Sequence, residues 1–182
     1  MFQSLLVKLA TALQRAGIPY MVIGGQAVLQ YGEPRLTRDI DITLGADVNE
    51  IAKVLKITEG LGLQAALGEV EAFVRRTNVL PVHDKESGIR IDLIFSFSPY
   101  ERQAIQRSVP VKVGDHTVQY ATVEDLIIHK MVAGRPRDLE DVKGILIRNR
   151  TYDSNYIEQW LRAFGETLRK DFSREFKSIQ IE

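Results

Sequence analysis

Gly24-Gly25-Gln26-Ala27-Val28-Leu29-Gln30-Tyr31-Gly32-Glu33-Pro34-Arg35-Leu36-Thr37-Arg38-Asp39-Ile40-Asp41-Ile42-Thr43 is the stretch whose reading decides the fold. Asp39 and Asp41 alternate with Ile40 and Ile42, so on a strand of period two the acids share one face and the isoleucines enter a core. Their Cα atoms would stand roughly 6–7 Å apart, from about 3.3 Å of rise per residue, and two such charges repel unless a cation lies between them. Mg²⁺ suits the pair, because it takes oxygen ligands and needs few carboxylates when substrate phosphates supply the rest. Ahead of the acids, Tyr20-Met21-Val22-Ile23 reads as a strand, Gly24-Gly25 as a turn and 26–31 as a short helix. A glycine turn opening a helix lets backbone N–H groups approach a phosphate with no Cβ in the way.

Downstream, Ile89-Arg90-Ile91-Asp92-Leu93-Ile94-Phe95 is the most strand-like segment, and its parity puts Asp92 with Arg90 on the polar face. Taken alone, Asp92 reads as an exposed strand acid. Beside the Asp39–Asp41 strand it would complete three convergent carboxylates, as a two-cation phosphoryl-transfer site requires. Arg35, Arg38, Arg75, Arg76, Arg135 and Arg137 are candidates to gather around a phosphate, and each also reads as a solvated surface charge.

Gly24-Gly25 followed by Asp39-Ile40-Asp41-Ile42 resembles the signature of the DNA polymerase beta-like nucleotidyltransferase superfamily, a Gly-Gly or Gly-Ser pair before an acid-x-acid strand. The fuller string, Gly24-Gly25-x-Ala27, Tyr31-Gly32 and Arg35-x-Thr37-x-Asp39-Ile40-Asp41, is similar to that of the small bacterial AbiEii-toxin-like nucleotidyltransferases. The resemblance covers roughly residues 20–140. It implies that Asp39, Asp41 and a third acid, Asp92, bind Mg²⁺, with two ions in the reacting complex. It also implies that a nucleoside monophosphate passes from a nucleoside triphosphate (NTP) to an acceptor hydroxyl with release of pyrophosphate. Gly24, Gly25, Arg35, Thr37, Arg38 and Lys130 are then the candidate nucleotide contacts. Gly25 stands where many members carry a serine whose hydroxyl holds the triphosphate, so that contact is missing here. Lys130 and Arg137-Asp138 match, in kind, a family lysine and a later basic-acidic pair, with Asp138 orienting Lys130 or a neighbouring arginine. On the bland reading Lys130 is a solvated helix lysine.

The expected fold class is α/β (α+β), a mixed sheet backed by helices, with 1–121 as a catalytic core and 122–182 as helices packed on it or merged with it into one domain. Leu5, Leu6, Leu9, Ala12 and Leu13 mark a first amphipathic helix ending at Gly17 and Pro19, and 48–61 marks a second. Residues 72–75 and 79–82 read as a hairpin about Thr77-Asn78, with Pro81 marking a sheet edge. Residues 99–107 read as a helix, 109–113 and 117–120 as a hairpin, and Thr122 with Asp125 as the cap of a helix through Met131. Helices at 139–147 and at Ile157, Trp160, Leu161, Phe164 and Leu168 follow, with Trp160 in the core and a frayed tail beyond Phe176.

Composition narrows the function classes. The 24 basic and 24 acidic residues cancel, which gives no global footprint for non-specific nucleic-acid binding and weighs slightly against a large RNA acceptor. There is no cysteine, hence no disulfide, thiolate nucleophile or cysteine-ligated zinc. His83, His116 and His129 lack metal-ligand spacing, and neither a Gly-x-Ser-x-Gly elbow nor a P-loop is present. With no apolar run long enough to span a bilayer and no leader pattern, the expectation is a cytoplasmic protein without a membrane partner. The acceptor stays open between RNA, protein and a small hydroxylated molecule, an antitoxin is an expected partner if the chain is a toxin, and the competing reading is a catalytically inactive nucleotide-binding or protein-interaction module on the same fold.

Overall fold

A computed structural model describes residues 2–65 and 68–181. The chain divides into two compact units, Met1–Gln26 with Thr37–Tyr120, and Ala27–Leu36 with Ala121–Glu182.

The first unit carries a seven-stranded mixed sheet of order β3-β4-β5-β2-β1-β7-β6. Among its interior strands is β1 (Tyr20–Ile23), buried along its whole length, as a strand with apolar side chains on both faces must be. On one side of it β2 (Asp39–Leu44) runs antiparallel, and on the other β7 (His116–Tyr120) runs parallel. β5 (Arg90–Phe95) runs parallel to β2 on its outer side, and β4 (Val79–Asp84) and β3 (Leu63–Ala65) extend that edge in antiparallel register. β6 (Val109–Val113) closes the other edge as a hairpin with β7, through a turn where Gly114 adopts φ +60°. Helix α1 (Phe2–Arg15) buries Leu5, Leu6, Leu9 and Leu13 as the spacing predicts, and it stops before Gly17, whose left-handed φ of +68° ends the helical path. Helix α5 (Pro99–Arg107) starts from a capping box in which Ser98 and Glu101 satisfy each other's backbone N–H groups.

Several expectations are corrected. Helix α2 (Gly24–Tyr31) starts two residues ahead of the predicted Gln26, with Gly24 turning the chain into it at a left-handed φ of +63°. The segment 48–61 is divided into a 3₁₀ turn, Val48–Glu50, capped by Asp47, and helix α3 (Ile51–Gly60). Residues 72–75 are not a strand: they lie in helix α4 (Val70–Thr77), in which the buried Val74 and the half-buried Val70 and Phe73 follow three- and four-residue steps, and Asn78 closes it in the left-handed conformation. Nor does Pro81 mark an edge, since β4 lies between β3 and β5. Pro81 itself pairs with Asp92 of β5.

The second unit is helical. Helix α6 (Val123–Ala133) is its centre, with Leu126, Ile127, Ile128 and Met131 fully buried. Thr122 caps it by accepting from the Asp125 N–H, as predicted, and the Asp125 carboxylate accepts from the Tyr156 hydroxyl at 2.8 Å. Helix α7 (Pro136–Arg148) begins at Pro136, where a first-turn proline sacrifices no hydrogen bond, so it starts three residues ahead of the predicted 139. Helix α8 (Ser154–Leu168) buries Ile157 and Leu161 of the predicted stripe, while Trp160 is half-buried against Phe164, with ring centroids 6.4 Å apart, rather than a core residue, and Leu168 is exposed. The tail is not frayed past Phe176: helix α9 (Phe172–Ile181) buries Phe172, Phe176 and Ile179 in the unit's core. No helix among the described residues is long and apolar enough to cross a membrane.

Candidate active site

Three local facts assemble the acid face in the first unit. Period-two alternation buries Ile40 and Ile42 completely and leaves Asp39 and Asp41 half-buried on the other face of β2. The parallel register sets Asp92 directly opposite Asp41 and Arg90 opposite Asp39. Paired residues on adjacent strands point to the same side, about 4.8 Å apart, so Asp39, Asp41 and Asp92 share one face. Asp39 leans outward to Arg90, with Arg90 Nε at 3.8 Å, a solvent-exposed pair worth little in stability. Burial pushes the Asp92 carboxyl above its ordinary value; Arg90 pulls it back and the charge of Asp39 adds to the rise.

The glycine pair reaches the same place through the register of β1, where Ile23 faces Asp41. Gly24 follows with φ +63°, and a Cβ built there would lie 1.9 Å from Asp41 Oδ2 and 2.7 Å from its Cγ. Its backbone therefore packs directly on the Asp41 carboxylate, a position for glycine alone. Gly24→Ala is expected to destabilise the protein by about 1–2 kcal/mol from the left-handed backbone alone and to displace the Asp41 side chain. Thermal melting measures the first effect, and loss of divalent-dependent nucleotide binding by calorimetry measures the second; an alanine variant with unchanged melting and binding would contradict both.

As to a metal, the donors are all carboxylate oxygens, the hard ligands Mg²⁺ prefers, and Asp41 and Asp92 are immediate neighbours. Among the described residues no group of three or more His, Cys, Asp and Glu side chains is drawn into a cage able to hold a metal ion. A two-carboxylate platform is nevertheless what Mg²⁺ uses when phosphate oxygens complete its shell. The donor set fits.

The remaining predicted contacts separate into two groups. In the first unit, Thr37 donates from its hydroxyl to the Asp39 carbonyl at 3.5 Å and Arg38 is exposed. In the second unit, Arg35 and Lys130 are joined in one ionic network. Lys130 is 6 % exposed, with Nζ 2.7 Å from Asp138 Oδ1 and 2.9 Å from Asp141 Oδ2. Arg35 grips Asp141 with two N–H groups at 2.9 Å each, and Arg135 Nε lies 2.6 Å from Asp138 Oδ2. Burial alone would raise the Asp138 carboxyl, but the hydrogen bonds and charges of Arg135 and Lys130 outweigh it and hold it below its ordinary value. Lys130 is thus no solvated helix lysine. Asp138 does orient it, while Arg137 is exposed. Asp141 was not visible as a partner in the sequence, although Asp138 and Asp141, three apart at the start of a helix, share a helical face.

The comparisons with known proteins point one way. The sequence matches the family described as nucleotidyl transferase AbiEii toxin, type IV TA system, over residues 9–180. No curated protein matches it significantly. Among solved structures, the fold is similar to that of the lincosamide antibiotic adenylyltransferase LnuA in its lincomycin-bound form, at 16% identity and TM-score 0.57, covering 80% of this chain and 97% of that one. It is also similar to an antigenic nucleotidyltransferase-like protein from Paracoccidioides brasiliensis, at 15% identity and TM-score 0.57, covering 96% and 91%. The antibiotic-resistance factor ANT(2'')-Ia is a third such neighbour, at 15% identity and TM-score 0.56, covering 98% and 89%. At such identities these likenesses establish a nucleotidyltransferase-type fold, and the sequence match carries the rest: the chain belongs to the AbiEii nucleotidyltransferase toxin family.

Proposed function

We propose that the chain transfers a nucleoside monophosphate from an NTP to an acceptor hydroxyl in a divalent-cation-dependent reaction that releases pyrophosphate. The observation that carries this reading is the pairing of Asp41 with Asp92 on adjacent parallel strands, with the Gly24 backbone against the Asp41 carboxylate. Asp39, Asp41 and Asp92 would hold Mg²⁺, which when bound neutralises triphosphate charge and polarises the reacting phosphorus. The first N–H groups of α2, at Gly24 and Gly25, would face the phosphates with no side chain between, and the positive end of the helix favours that anion. The acceptor oxygen attacks the α-phosphorus, the bond from that phosphorus to the bridging oxygen breaks, and pyrophosphate leaves with the electron pair. Asp92, whose carboxyl burial raises above its ordinary value, would take the hydroxyl proton. No covalent enzyme intermediate is needed, because positioning and charge neutralisation supply the rate.

Membership of a toxin family supports a macromolecular acceptor in the cell and an antitoxin gene as its counterpart. The small-molecule adenylyltransferase among the structural neighbours supports a hydroxylated metabolite instead.

Incubation with each NTP, labelled in turn at the α- and γ-phosphate, in a cell extract with Mg²⁺ separates these acceptors. The expected result is transfer of α-label from one preferred nucleotide to an RNA, a protein or a small molecule, no transfer of γ-label, and abolition by chelator. Transfer of γ-label would make the chain a kinase and overturn the proposal. Nucleotide binding in calorimetry without any transfer in the extract would leave the binding module as the correct reading.

A further inference from the structure

In the first unit, α1, α3 and the β6–β7 turn enclose a groove of about 960 Å³ that includes none of the acids or glycines of the candidate active site. Helix α1 carries two distinct faces. Its core stripe is spent on Leu5, Leu6, Leu9 and Leu13, while Ser4, Val7 and Thr11, at three- and four-residue steps, line the groove together with Ala12. Across from them α3 contributes Ile57 and, at its end, Gly60 and Leu61, and a Cβ on Gly60 would meet nothing within 4 Å. The floor is therefore small-chained and mostly apolar, Val7, Ala12, Ile57 and Leu61 being interspersed with the hydroxyls of Ser4 and Thr11, over the length from Ser4 to Arg15, about 16 Å at 1.5 Å per residue, or some three helical turns.

The rim carries more positive than negative charge. Lys8, Arg15 and Lys56 border the groove and are exposed, and Asp115 is the acid among its lining residues. Arg15 and Lys56 make no ion pair with a described residue; Lys8 is close enough to Asp84 on β4 to help lower that carboxyl, so part of its charge is already spoken for. In a chain whose 24 basic and 24 acidic residues cancel, this local excess is selective.

We infer that this groove binds an acidic amphipathic helix of a partner protein, its apolar stripe lying on Val7, Ala12, Ile57 and Leu61 and its flanking carboxylates meeting Lys8, Arg15 and Lys56. Small residues along α1 allow close approach of a helix, and helix-in-groove docking uses such i, i+3, i+4, i+7 anchors. A mostly apolar floor gives a phosphodiester backbone little to bury, which favours the peptide over an RNA strand. Rim charges of this kind set partner choice and association rate more than affinity. The site is independent of the proposed chemistry.

Two fluorescent helical peptides of identical leucine stripe, one flanked by glutamates and one by lysines, provide the probe, together with a single-stranded RNA oligonucleotide. The glutamate peptide is expected to bind at micromolar concentration, to protect α1 and α3 amides from hydrogen exchange, and to lose at least about tenfold in affinity in K8E/K56E, a variant with unchanged melting. The lysine peptide is expected to bind at least about tenfold more weakly to the wild type and to gain in that variant. Equal binding of both peptides, protection confined to other elements, or RNA binding that vanishes in K8E/K56E would overturn the inference.

Discussion

Asp41→Asn is expected to slow nucleotidyl transfer by about a thousandfold, the scale on which one preorganised electrostatic partner counts in a water-poor site, while the melting temperature changes by no more than a few degrees. The substitution keeps the shape that packs against the Gly24 backbone and keeps the strand register with Asp92. What it removes is a formal charge and one anionic oxygen from a face that carries three acids. On the proposed reading that charge is the chief attraction for a divalent cation, so Mg²⁺-dependent nucleotide binding should weaken in calorimetry together with turnover. Asp39→Asn is expected to act in the same direction. Transfer of α-labelled nucleotide at within tenfold of the wild-type rate in Asp41→Asn would remove the acid from the mechanism, whatever the acceptor proves to be.

The acid face was legible because its signal is local. Two residues of alternation suffice to put Asp39 and Asp41 on one side, and a buried Ile40 and Ile42 leave β2 no freedom to slip by one residue without burying charge. Neighbourhood of β2 and β5 required a further step, since α3, β3, α4 and β4 intervene in the chain, and chemistry rather than periodicity suggested it. Where local signals conflicted the reading failed. Phe73-Val74 is β-prone, but the half-buried Val70 and Phe73 and the buried Val74 follow helical spacing, and the packing of one apolar face on β4 outweighs intrinsic propensity.

Pro81 misled for a similar reason: proline is a strand-edge signal by residue type alone, yet β4 is flanked by β3 and β5 and Pro81 itself pairs with Asp92. The tail misled because Phe172, Phe176 and Ile179 form a helical stripe with polar neighbours, which reads as solvated until another helix is there to cover it. Least visible of all was the ionic network of the second unit. Arg35 and Asp141 lie 106 residues apart in sequence, and nothing local to either announces the other. Lys130, which reads in the sequence as a solvated helix residue or a phosphate contact, is no solvated residue but a buried cation between two aspartates.

That burial makes Lys130→Met the variant with the largest expected loss of stability, about 3–5 kcal/mol, the usual result of removing one partner from a buried ionic group. Methionine fills the space of the lysine stem, so little of the loss is cavity. The cost arises because Asp138 and Asp141, three residues apart on α7, would face each other across the position where Nζ had contacted both. Arg135 and Arg35 still hold the outer oxygens, which keeps the figure from rising further. For a chain of this size such a loss lowers the melting temperature by roughly 10 °C. The pH dependence carries a sign as well. Asp138 has a folded-state carboxyl below its ordinary value, so its contribution to stability is present above the unfolded pKa and is lost as pH falls through the depressed one. With Lys130 gone that depression shrinks, and the fall in melting temperature on acidification below about pH 5 should flatten. Adding Asp138→Asn to Lys130→Met should recover part of the stability, because it removes one of two charges left facing each other, whereas the same change in the wild type should destabilise. Additive losses in the double variant, or a single-variant cost below about 1 kcal/mol, would mean that the arginines alone neutralise the acids and that Lys130 is held in place by packing rather than by charge.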